Sequence, residues 1–69
     1  MIDYEKLSRT EIENLIEEWV VGRYAERDRE IMKRRLLDGV LLEPLAEEFD
    51  LSVSQVKNII YKRQKQLFR

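Results

Sequence analysis

Apolar residues recur at helical spacing in four separate runs of this chain and alternate with polar ones nowhere, so the fold is all-α. The clearest run is Ile12, Leu15, Ile16, Trp19 and Val20, five side chains that share one face of a helix. Its start is marked by Ser8 with Glu11 three residues on, a capping box, and Leu7 can close a hydrophobic staple on Ile12. Gly22 interrupts the pattern. A second run passes through Ile31, Met32, Leu36 and Leu37 and stops at Asp38-Gly39. In the third, Pro44 is tolerable only within a first helical turn, which fixes the start near Leu41 or Leu42. Ser52 is a natural N-cap for the last run, with Val56, Ile59, Ile60 and Leu67 inward. The expected architecture is one small four-helix domain over residues 1–69, with helices at about 9–21, 26–38, 42–49 and 53–68.

The chain has 69 residues with no cysteine and no histidine, which removes disulfides, thiol nucleophiles, the commonest zinc ligands and the usual neutral-pH base. Catalytic, metal and cofactor sites are not expected, nor is a small-molecule ligand. The paired acids Glu17-Glu18 and Glu47-Glu48 have no basic partner or ligand spacing, and solvated helix faces explain them. No apolar run approaches the length of a membrane span, which points to a cytoplasmic, nucleoid-associated protein and away from the membrane.

Net charge is −1, but it is unevenly distributed. Residues 1–22 carry −4, 23–38 carry +2, 39–51 carry −4 and 52–69 carry +5, with no acid in the last segment. The carboxy-terminal helix is therefore the electropositive element, the distribution expected of a surface that meets a polyanion.

Leu42 to Tyr61 meets the demands of a helix-turn-helix. Ala46 supplies the small residue where two backbones approach. Asp50 stands in the turn, one of the few non-glycine residues that readily adopts positive φ. Leu45, Phe49, Leu51, Val56 and Ile59 fall on inward positions; an ordinary helical hairpin in a bundle would supply that periodicity alone. The outward residues of the last helix then become base-reading candidates: Val53, Ser54, Lys57, Asn58 and Tyr61. Asn58 can bond adenine in bidentate fashion, Lys57 can reach guanine or a phosphate, Ser54 is an adaptable donor and Val53 can touch a thymine methyl. Gln55, Lys62, Arg63 and Lys65 are candidates for phosphate contact. Trp19, Tyr24, Phe49 and Phe68 are expected in the core, and Tyr61 outside it. Acidic Glu43, Glu47, Glu48 and Asp50 would keep the third helix away from DNA.

The strings ERDREIMKRRLLDG, LEPLAEEFDLS and SQVKNIIYKRQKQL, within Glu26 to Leu67, resemble region 4 of bacterial sigma factors and the similar small phage and mobile-element regulators. The resemblance implies a promoter-type DNA-binding head. It places base reading on Val53, Ser54, Lys57 and Asn58, and phosphate contact on Lys62 and Lys65. Sigma factors commonly present Arg and Glu where this chain has Val53 and Ser54, so the resemblance implies a different target sequence. The expected function is that of a sequence-specific double-stranded DNA-binding transcriptional regulator, working as a homodimer or against RNA polymerase through the acidic first helix, with Trp19 and Val21 as contact residues. The competing expectation is an adaptor or inhibitor that binds a transcription component without touching DNA.

Overall fold

A computed structural model describes residues 7–67, which form four helices and, among them, no strand. These are α1 (Arg9–Trp19), α2 (Ala25–Leu36), α3 (Leu42–Glu48) and α4 (Val53–Leu67). The radius of gyration is 11.3 Å, close to the roughly 11 Å of a well-packed domain of this length.

Local chemistry explains each boundary. The Ser8 hydroxyl accepts from the Glu11 amide at 3.2 Å, and the Glu11 carboxylate accepts from the Ser8 amide at 3.3 Å, completing the capping box. Leu7 packs against the core cluster that contains Ile12. Helix α1 ends two residues earlier than the sequence suggests. Val20 is extended (φ −84°, ψ 94°), and side chains from elsewhere take the carbonyls that another turn would use. Arg29 donates to the Val20 and Glu17 carbonyls at 2.9 and 3.1 Å, and Arg63 donates to the Val21 carbonyl at 3.0 Å. The Arg29 guanidinium thus places positive charge at a helix C-terminus that has no basic residue of its own.

Helix α2 also stops two residues early, at Leu36. Gly39 then adopts φ +66° and the Val40 amide bonds back to the Arg34 carbonyl at 3.1 Å. In α3, Pro44 sits at the third helical position, whose amide has no intrahelical partner to lose. The break after α3 closes as a Schellman motif. Asp50, at φ +55°, donates its amide to the Glu47 carbonyl, and the Leu51 amide reaches the Ala46 carbonyl at 2.9 Å. A second capping box opens α4: the Ser52 hydroxyl accepts from the Gln55 amide at 3.1 Å and the Gln55 side-chain oxygen accepts from the Ser52 amide at 2.9 Å.

The core is built from Ile12, Ile16 and Val20, from Ile31 and Met32 of α2, from Leu45 and Ala46 of α3, and from Val56, Ile60 and Leu67 of α4. Helices α2 and α4 each contact all three of the others, so the core gathers around these two. Phe49 and Ile59 are half-buried against this core.

Two aromatic residues expected inside lie outside. Trp19 and Tyr24 are each 53% exposed. Val20, fully buried, takes the place at the end of the α1 stripe that Trp19 was expected to share. Tyr24 precedes α2, and its ring is covered by the Arg27 guanidinium at 4.5 Å, with Arg23 at 5.9 Å. Phe68 lies outside the described residues.

Candidate nucleic-acid interface

At 3.6 residues per turn, Ser54, Asn58, Tyr61 and Lys65 form one stripe along α4, with Lys57 and Lys62 on its flanks. All six are exposed, and Tyr61 keeps 60% of its surface open. Val53, 41% exposed, lies at the edge of the helix start. The structure therefore brings these outward candidates onto one surface, opposite the buried Val56, Ile60 and Leu67.

Arg63 does not join them. It is only 7% exposed, its Nε and Nη2 each lie 2.9 Å from Asp28 Oδ2, and Nη1 donates to the Val21 carbonyl and to Gln66 Oε1. The assignment of Arg63 to phosphate contact is corrected on this ground: every part of its guanidinium is engaged inside the protein. Asp28, 5% exposed, also accepts from Arg27 at 3.1 Å through its other oxygen. A buried carboxylate is tolerated when its lone pairs are satisfied this way, and no buried side-chain polar atom among the described residues lacks a partner. The helical spacing carried a signal for this placement, since position 63 falls between the inward positions 60 and 67. Gln55 is altered in role, because its side-chain oxygen is held by the capping box and only its amide nitrogen remains to donate outward.

The other basic residues of the domain are largely occupied. Lys33 and Arg29 pair with Glu17 at 2.6 and 3.8 Å and Arg34 with Glu48 at 3.1 Å, so two of the paired acids expected to lack a basic partner have one, and Arg9 pairs with Asp38 at 3.0 Å. Within the tightest pair, the Lys33 hydrogen bond holds the Glu17 carboxyl below the ordinary glutamate range, and the same bond raises the Lys33 ammonium. None of the ion pairs among the described residues involves Lys57, Lys62 or Lys65. Arg29, Lys33 and Arg34 of α2 answer acids on neighbouring elements, whereas the cations on the α4 stripe face solvent.

Beside this stripe runs a groove of about 540 Å³ between α4 and the connection from α2 to α3. Arg35, Gly39 and Leu42 form one wall, and Lys57, Ile60 and Tyr61 the other. Arg35 was not singled out in the sequence, because three consecutive bases, Lys33, Arg34 and Arg35, look alike until the acids around them are placed.

Comparison with protein-family models, with curated proteins and with solved structures finds no match. What this surface does is therefore argued from its own chemistry. No helix among the described residues is long and apolar enough to cross a membrane.

Proposed function

We propose that the protein is a sequence-specific double-stranded DNA-binding transcriptional regulator, in which α3 and α4 form a helix-turn-helix and α4 enters the major groove. The observation that carries this reading is the stripe itself: exposed lysines without acidic partners among the described residues, interleaved with the hydrogen-bonding side chains of Ser54 and Asn58. The left-handed turn at Asp50 and the buried Ala46 support the helix-turn-helix, and the resemblance to sigma region 4 agrees with both. In this reading Ser54, Lys57, Asn58 and Tyr61, with Val53 at the edge, face bases, and Lys62 and Lys65 neutralise phosphates. The protein acts without catalysis or cofactor, in the compartment that holds the nucleoid.

Selection of bound duplexes from a random pool tests the proposal. A recurring motif in the recovered duplexes is expected, with affinity that falls steeply as salt rises. Recovery of no motif, with no binding at low salt, contradicts it.

A second surface favours a protein partner as well. Trp19, Val21 and Tyr24, three large side chains between 53% and 56% exposed, fall within six residues at the turn between α1 and α2. Trp and Tyr are the residue types that dominate binding energy at interfaces. Exposed Glu18 and Arg23 flank this apolar centre, so two copies can meet about a two-fold axis with each acid opposite a base. A homodimer built on this turn is the partner arrangement we favour. Light scattering of the wild type and Trp19→Ala over a concentration series tests it, and a wild type that remains monomeric throughout leaves this surface to RNA polymerase or another transcription component. An adaptor that binds protein alone would use the same turn, keep its partner after loss of the α4 lysines, and bind no duplex.

A further inference from the structure

The groove beside α4 has a chemistry of its own. Arg35 and Lys57 stand on opposite walls, the Tyr61 and Gln64 side chains add neutral donors, and half-buried Leu36 and Leu42 give it an apolar lining. Arg35 donates through Nη1 to the Val40 carbonyl at 3.0 Å. That bond fixes the guanidinium, and no hydrogen bond or ion pair among the described residues uses its Nε or Nη2. The adjacent Arg34 is different, being paired with Glu48. Beside Gly39 a β-carbon would meet nothing within 4 Å, so the groove is open on that side.

One guanidinium held in place and one exposed ammonium over an apolar lining suit a strand whose units alternate an anion with a sugar. We infer that this groove holds the sugar-phosphate backbone of one DNA strand, with Arg35 and Lys57 on either side of a phosphate and the sugars against Leu36 and Leu42. The inference rests on the DNA-binding reading and deepens it. It moves Lys57 from base reading to backbone contact, leaving Ser54, Asn58 and Tyr61, with Val53 at the edge, as the groups that face bases. It also adds to the interface Arg35, a residue outside the last helix.

The test uses the duplex recovered from the random pool, with the wild type, K57Q and R35Q titrated across a salt series. Each variant is expected to weaken binding to the selected duplex and to an unrelated one by the same factor. Each is also expected to lower the slope of log affinity against log salt by about 1, with base preference unchanged. A change of preference at one base position in K57Q overturns the assignment of Lys57, and an unchanged slope in folded R35Q overturns that of Arg35. Because R35Q also removes the bond to Val40, circular dichroism accompanies it. Single methylphosphonate substitutions in the duplex give a second measurement that needs no Arg35 variant. One neutralised phosphate is expected to weaken the wild type more than K57Q, which keeps only the Arg35 contact there, and equal weakening of both proteins at every position overturns the inference. A wild type that binds no duplex at all overturns the DNA-binding reading itself, a different outcome from any of these.

Discussion

The two faces of α4 use the same residue types for opposite ends. On the inward face Arg63 is enclosed, with each nitrogen of its guanidinium committed to Asp28, Val21 or Gln66. On the outward face Lys57, Lys62 and Lys65 stand in solvent and in none of the described ion pairs. Counting charge along the helix treats all four alike. What separates them is the position of Asp28, 35 residues earlier in the chain, which the packing of α4 on α2 brings beneath Arg63. A buried ion pair of this kind fixes how two helices dock, whereas a solvated lysine is available for work at the surface.

The largest expected effect lies on the inward face. Asp28→Ala leaves the Arg63 guanidinium buried and without its carboxylate, a loss of about 3–5 kcal/mol, enough to unfold much of a domain this small. Urea denaturation followed by circular dichroism measures it. The double variant Asp28→Leu/Arg63→Met is expected to recover most of that loss, because an apolar pair needs no compensation. Failure to recover would mean that the arginine bonds to Val21 and Gln66 matter more than its pairing with Asp28.

Leu45→Ala, at a fully buried core position, should cost about 2–5 kcal/mol through lost transfer energy and the cavity left behind. It serves as the apolar reference for the charged pair, measured in the same denaturation series. At the turn before α4, Asp50→Val forces a β-branched residue to φ +55° and is expected to cost about 1–3 kcal/mol, whereas Asp50→Gly should be neutral or slightly stabilising. Equal stability of the two variants would mean that this turn is not held in its left-handed form.

On the outward face the effect on stability should be smallest. Lys62→Gln and Lys65→Gln are each expected to change unfolding free energy by under about 0.5 kcal/mol. The exposed pair between Glu17 of α1 and Lys33 of α2 gives a small and pH-dependent contribution. The Glu17 carboxyl is lowered, so its contribution is complete above the ordinary glutamate range and is lost as pH falls through the lowered value. The raised Lys33 ammonium contributes below its ordinary value, and that part is lost as pH rises through the raised one. Thermal melting of Glu17→Gln should therefore show a slightly flatter acid limb than the wild type.

The helices were legible because their signals are local. Ser8 with Glu11, Pro44 in a first turn, Asp50 at a positive φ and Ser52 before α4 each act within a few residues, and each appears where the spacing requires. The end of α1 differs by two residues from the sequence expectation because distant groups set it, and that of α2 because the chain closes through Gly39 and the bond from Val40 to Arg34. Arg29 takes the Glu17 and Val20 carbonyls and Arg63 that of Val21, and nothing in the local sequence announces that. Periodicity alone places Trp19 inside, and it cannot say that no element among the described residues covers that side of α1. The candidate interface divides the same way. Ser54, Lys57, Asn58, Tyr61, Lys62 and Lys65 follow from helical spacing, whereas the enclosure of Arg63 and the groove beside Arg35 depend on contacts between helices.

The most direct test of the account is a duplex-binding titration of the double variant Lys57→Glu/Lys62→Glu beside the wild type, at low and at raised salt, with circular dichroism of both. An unchanged helical signal, salt-sensitive binding by the wild type and no measurable binding by the variant are expected. A folded variant that binds duplex as the wild type does would contradict the claim that the outward face of α4 meets DNA.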